Sequence, residues 1–390
     1  MALQVHPKNS TPIFILLAIC GFYFVAFHMI KSRAPVHYLE VHKASNVPLT
    51  PTNGRFPAID RAVSPLVSFF VAAFNDPSSR AFATAIDFVW SYSAAVLLPL
   101  IEPQRISLTN GWSLSKTFLG SPLIWGLLYQ RLSGGWIMPL WLFVFMHSPT
   151  RTNTGGVSRI GAESVFVGWW LGHTLPALSM VLPGRHHIPS ALYSYVAFPA
   201  LMPIFQQTYL FVRRIFVGPV QESSVDKHSG YIVLQLTYLS AFMVSSVSHI
   251  YLVILPALAN PGSGIGKTIN LIKYLYRFYI PPTGIFVPLV ENTTAESGII
   301  HFVQMDILVV FSAIWIAMLW DLHQRRQEAH ETSKSANQTQ PPRSTNWNIA
   351  AGCILVSVSA ALGPGAATSA LFMYREKQLE DARNGVQKED

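Results

Sequence analysis

Residues 82–101 read FATAIDFVWSYSAAVLLPLI, twenty residues with a single charged side chain, Asp87. At about 1.5 Å of rise per residue, such a helix covers the roughly 30 Å hydrocarbon core of a bilayer. The same kind of run recurs at Pro12–Ile30, Glu163–Leu182, Ser190–Val212, Tyr231–Leu258, Ile300–Trp320 and Trp347–Phe372. A less regular block, Thr117–His147, holds Arg131 and the pair Gly134–Gly135. It reads as one long broken helix or as two half-length helices meeting at the glycines. Broken helices at membrane depth are tolerated where the freed backbone is buried or lines a cavity. Ala62–Phe74 is too short to span and reads as re-entrant or interfacial. The expected fold class is therefore all-α: a polytopic integral membrane helical bundle of about eight transmembrane helices.

Composition agrees with that reading. The 390 residues are 51% hydrophobic and 12% charged, where soluble domains carry about 25% charge. The bundle is expected over residues 1–372, with a disordered polar loop at 324–346 and a soluble charged tail at 373–390. The net charge of +8 does not indicate nucleic acid, because the basic residues flank apolar blocks. Lys31 and Arg33, Arg213 and Arg214, and Arg325 and Arg326 stand where lipid headgroups would meet them. Membrane lipid is the expected neighbour. Cys20 and Cys353 both lie within apolar blocks and make no disulfide framework. Pro12–Ile30 reads as a retained signal anchor. The loops richer in Lys and Arg, including the one after this helix, are assigned to the cytoplasm, which places the amino terminus in the lumen. Asn292 then begins a lumenal glycosylation sequon, and Asn337 begins one on the other side. The expected location is the endoplasmic reticulum membrane. Within 259–298, the stretch NLIKYLYRFYI at Asn270–Ile280 mixes aromatic and basic residues in a way that suits the headgroup layer.

Several apparent signals for chemistry fail on inspection. Gly262–Thr268 is like a phosphate-binding loop, but it is one residue short and follows a membrane helix. His186–His187 is a lone pair, too few for a diiron site. No DDxxD, NxxxDxxxD or DxDD motif supplies the clustered carboxylates that magnesium needs. No metal and no cofactor is expected.

Ionisable groups at membrane depth are costly and mark function. Asp87 has Trp90 and Ser91 on its own helix face, and Glu102 ends the same helix in roughly the same direction. A carboxyl in an apolar pocket holds its proton and serves as a general acid; the alternative is a buried ion pair, with Arg131 as the partner. Asp306 sits among Phe302, Val303, Val309 and Val310 and must face inward. Asp87, Asp306 and Glu102 are the candidate catalytic acids. His173 shares a face with Trp169 and Trp170, and His249 shares one with Ser245 and Ser246; either histidine is a packing residue or part of a site. Trp90, Arg131, Trp169, Trp170, His173 and His249 are the candidate substrate-binding residues, the indole faces being suited to a carbocation.

The layout resembles the fungal membrane-bound terpene cyclases of the ascofuranone-pathway type. The likeness rests on Phe74-Asn75-Asp76-Pro77, on Asp87 in the next helix, on Glu102-Pro-Gln-Arg105, and on Gly134-Gly135-Trp136 through Pro139-Leu140-Trp141. It runs over residues 10 to 320 by helix order and length, and the chain is longer than the compact seven-helix meroterpenoid cyclases. It implies metal-free protonation of an isoprenoid epoxide or alkene, cation-driven ring closure and proton loss, in secondary metabolism. The implied partner is a hydrophobic isoprenoid substrate. A transporter of a hydrophobic metabolite and a non-catalytic membrane protein remain as alternatives. Against the transporter stands the absence of an internal repeat.

Overall fold

The computed structural model describes residues 11–105, 119–148, 156–182, 189–217, 224–259, 265–281, 294–335 and 346–386. Asn292 and Thr293 of the first sequon, the whole second sequon, the His186–His187 pair and the first part of Gly262–Thr268 fall outside them. Every regular element among the described residues is helical. In chain order they are α1 (Thr11–Lys31), α2 (Ala34–Lys43), α3 (Pro57–Ala73), α4 (Arg80–Arg105), α5 (Pro122–Leu132), α6 (Gly134–His147), α7 (159–181), α8 (Pro189–Val196), α9 (Phe198–Val217), α10 (224–259), α11 (Ile265–Tyr279), α12 (Ala295–Ser335), α13 (Asn346–Leu362) and α14 (Pro364–Val386).

Among the described residues, four helices are long and apolar enough to cross a bilayer: α1, α4, α10 from Gly230, and α12 as far as Gln327. The expectation of about eight spans is corrected to these four. Most of the other apolar runs are interrupted by local chain chemistry. Thr117–His147 is two helices, α5 and α6, separated at Ser133 with φ 89°. Ser190–Val212 is divided at Ala197, just before Phe198–Pro199, because proline cannot donate to the preceding turn. Trp347–Phe372 is divided at Gly363, whose φ of 91° suits glycine, with Pro364 opening the next helix. The fourth run, inside α7, is continuous but carries His173, Thr174 and a π-helical turn at Trp170–Thr174.

The element at the centre is α4. Its most apolar window is 94% buried, and it packs against α10, α12 and α14. Ser79 caps it, its hydroxyl accepting from Phe82 N at 3.2 Å. Around this axis α6 packs between α1 and α12, while α7 packs on α9 and α10. Ala62–Phe74, expected to be re-entrant or interfacial, lies mostly within α3, which buries Val67 through Val71 on α2, α8 and α12.

Two charged segments differ from expectation. The helix containing Ile300–Trp320 continues to Ser335 rather than giving way to a loop at Gln324, and residues 336–345 lie outside the described set. The segment after Phe372, expected as a solvated tail, is the second half of α14. Its Arg375 and Glu376 are 2% and 4% exposed. The reason is a set of partners far away in sequence. Arg375 donates to Glu102 Oε1 at 2.7 Å and to Asp321 Oδ2 at 2.9 Å. Arg105 bonds Glu376 and approaches Glu102 at 3.4 Å, and Arg325 reaches Asp321 at 3.1 Å.

Candidate functional site

Asp306 lies in the first third of α12, with Phe302 one turn earlier. It is 1% exposed, yet it lines a partly open chamber of about 360 Å³. Half of the rest of the wall is aromatic. It includes Phe69 and Phe70 from α3, Phe88 and Tyr92 from α4, Tyr129 from α5, Trp136 from α6, Tyr195 from α8 and Phe198 from α9.

Three groups hold the Asp306 carboxyl, one of them the Ser133 side chain. Tyr92 donates its hydroxyl to Oδ2 at 3.0 Å. The backbone N–H of Gly135 donates to Oδ1 at 2.6 Å. Gly135 is in the first turn of α6, where N–H groups lack helical partners and the helix dipole favours negative charge. The sequence makes this approach possible. A Cβ on Gly134 would lie 1.3 Å from the Tyr92 hydroxyl oxygen, and one on Gly135 would lie 3.1 Å from Asp306 Oδ1. Ser133 starts the helix, its hydroxyl accepting from Trp136 N at 3.3 Å. The Gly134–Gly135 break thus carries the amide that reaches the acid.

The arrangement sets a buried carboxyl beside a pocket rich in aromatic rings. The carboxyl is supplied with donors from Tyr92, Gly135 and Ser133. The ring faces around it favour a cation by their quadrupoles.

The other anticipated residues fall in four places. Arg131 also lines the chamber, with Nη1 donating to Ala62 O at 2.6 Å; it does not pair with Asp87. Asp87 is fully buried on a different face of α4, with Oδ1 3.1 Å from His249 Nδ1. Tyr279 extends this pair, its hydroxyl 3.4 Å from His249 Nε2, and Trp90 is buried in the core. His173 is completely buried, edge-on to Tyr195 and Phe198 with ring centroids 5.8 and 5.0 Å away. It stands behind the chamber wall, and neither of its ring nitrogens has a hydrogen-bond partner among the described residues. Trp169 donates to Ser93 O at 2.9 Å and has Trp170 edge-on against it. Glu102 belongs to the charge network at the other end of α4. Asp306 and Arg131 therefore meet at the chamber, and Asp87, Glu102 and the two histidines do not. Tyr92 was not anticipated. The i, i+4 pair Phe88 and Tyr92 was the available signal, overshadowed by the carboxyl of Asp87 beside it. Among the described residues, no three His, Cys, Asp or Glu side chains converge as metal ligands.

Fold and site together define an all-helical membrane protein with a buried acid facing an aromatic chamber. The chain belongs to the CtvD domain family, a terpene cyclase-like family, whose model matches residues 12–379 and so takes in α1 through most of α14. No curated protein and no solved structure matches it.

Proposed function

We propose that this chain is a metal-free, membrane-bound terpene cyclase that uses Asp306 to protonate an isoprenoid epoxide or alkene. The observation that carries the reading is the Asp306 carboxyl, held by Tyr92, Gly135 and Ser133, in a chamber whose wall is half aromatic. The reaction balances without a co-reactant. The Asp306 O–H bond breaks and the proton goes to the epoxide oxygen or the alkene carbon. The resulting electron-poor carbon is attacked by a neighbouring alkene, which forms the ring bond. Loss of a proton from the carbon next to the final cation restores neutrality, and Asp306 is reprotonated, so the product is an isomer of the substrate. The setting is meroterpenoid secondary metabolism in the endoplasmic reticulum membrane.

The test is expression in a host fed prenylated and epoxidised precursors, followed by product analysis. General acid catalysis contributes roughly 100- to 10,000-fold. Asp306→Asn is expected to lose at least about the lower factor while membrane expression and detergent-extracted monodispersity stay as in wild type. Full turnover by Asp306→Asn would refute the assignment of the acid.

A further inference from the structure

Three large apolar residues that line the chamber also face outward. Phe22 and Ile30 on α1 are 41% and 72% exposed, and Leu132 at the end of α5 is 39% exposed. Since α1 is one of the four helices able to cross a bilayer, and only 28% of its apolar window is buried, its outer surface belongs in lipid. A side chain with one surface in the chamber and another in lipid marks a thin place in the wall.

The ends of these elements fix the level of that place. Lys31 and Arg33 follow Ile30, and Arg131 precedes Leu132; all three are exposed. Arg33 takes a left-handed backbone, φ 53°, and turns the chain from α1 into α2. Basic side chains at the end of a spanning helix sit at headgroup level, with their stems along the apolar surface. The Arg131 guanidinium is fixed at the rim by its bond to Ala62 O.

We infer that the chamber opens sideways into the bilayer, through a portal between Phe22 and Ile30 of α1 and Leu132 of α5, just below a basic rim. The ligand class that fits is an amphiphile: an apolar chain that enters from the acyl layer towards Asp306, with an anionic or hydrogen-bond-accepting end retained at Arg131. This rests on the cyclase reading only for the identity of the chain as substrate. The portal itself follows from exposure and lining.

A test that needs no turnover is photo-cross-linking in phosphatidylcholine nanodiscs with a diazirine-bearing farnesyl alcohol, read by mass spectrometry of peptides from α4 and α12. Wild type is expected to take label there. Ile30→Trp and Leu132→Trp change exposed positions and should fold; each is expected to cut chamber labelling at least tenfold. Ile19→Trp, at a position on α1 that is exposed and does not line the chamber, is expected to label as wild type does. If both portal variants label like wild type, the portal is wrong and the cyclase reading stands. If wild type takes no label in the chamber, both readings fall. If labelling behaves as expected while Asp306→Asn keeps full turnover, the portal stands and the acid assignment fails.

Discussion

At the scale of single residues, the chemistry turns on what surrounds one carboxyl. Tyr92 and the Gly135 amide each donate to Asp306, and both strengthen as negative charge develops on it. A hydrogen bond to an ionised group is worth about 1.5–3 kcal/mol, or roughly 10- to 150-fold in rate. Tyr92→Phe keeps the ring in the wall and removes only the donor, so kcat is expected to fall by about that factor with unchanged expression. Wild-type kcat in Tyr92→Phe would mean that the Gly135 amide and the Ser133 hydroxyl suffice to hold the carboxylate. A second carboxyl, outside the spanning helices, has a purely structural part. Burial pushes Asp60 up, but donation from Thr52 N at 2.7 Å, Thr52 Oγ1 at 2.8 Å and Gly54 N at 3.0 Å prevails and holds it below the ordinary aspartate value. A lowered folded value means that the unfolded chain binds more protons. The stabilisation is therefore present above about pH 3.9 and fades as pH falls through the folded value. Wild type is expected to melt above Asp60→Asn at neutral pH, with the gap closing on acidification. A gap that does not change with pH would show that the carboxylate's charge is immaterial to this turn.

At the scale of elements, the decisive feature is the entry to α6. Glycine at 134 is required because any side chain there would collide with the Tyr92 hydroxyl. Gly134→Ala is therefore expected to displace Tyr92 from Asp306 and to impair turnover about as much as Tyr92→Phe. Because both changes break one contact, the double variant should be no worse than the poorer single variant, whereas independent effects would add. A fully additive double variant in the measured turnover would show that Gly134 acts elsewhere. This break could be read from the sequence, since Gly134–Gly135 inside an apolar run and next to Arg131 pointed to it. The helix α11 was not legible: the mixture of aromatic and basic residues at Asn270–Ile280 suited a headgroup-level loop, where the structure has a helix with Lys273 and Arg277 to one side of exposed Ile269, Ile272 and Tyr276. The choice between acids was not legible. Asp87 and Asp306 are both isolated carboxyls in apolar helices, and what separates them is a histidine 162 residues away in one case and a helix start 171 residues away in the other. Periodicity places a side chain on a face of its helix; it does not say what that face meets.

At the scale of the whole molecule, the same limit explains the carboxy-terminal segment. Its sequence, YREKQLEDAR after Met373, has the composition of a solvated tail, and composition alone gives no reason to bury it. The fold buries it because Glu102 and Arg105 end the central helix α4 at the level where Asp321 ends the apolar part of α12. Arg375 and Glu376 then meet opposite charges from both. The network joins the first and last thirds of the chain, and it gives Glu102 a structural part that an isolated reading of α4 lacks. A solvated tail and a buried latch predict opposite outcomes for truncation. Ending the chain after Met373 removes Arg375 and Glu376 together, so that in a low-dielectric site Glu102 keeps Arg105 but loses Arg375, Asp321 keeps Arg325 but loses Arg375, and Arg105 loses Glu376. Breaking a buried pair by removing one partner costs roughly 3–5 kcal/mol, a large part of the 5–15 kcal/mol that holds a typical domain. That truncation is expected to abolish monodisperse extraction from the membrane, and Arg375→Ala to lower the melting temperature in the same direction. Ending the chain after Arg383, beyond the buried pairs, is expected to leave both unchanged. If the shorter chain extracts and melts like the full one, the network contributes nothing to stability and Glu102 returns as a candidate for chemistry, to be tested by the turnover of Glu102→Gln.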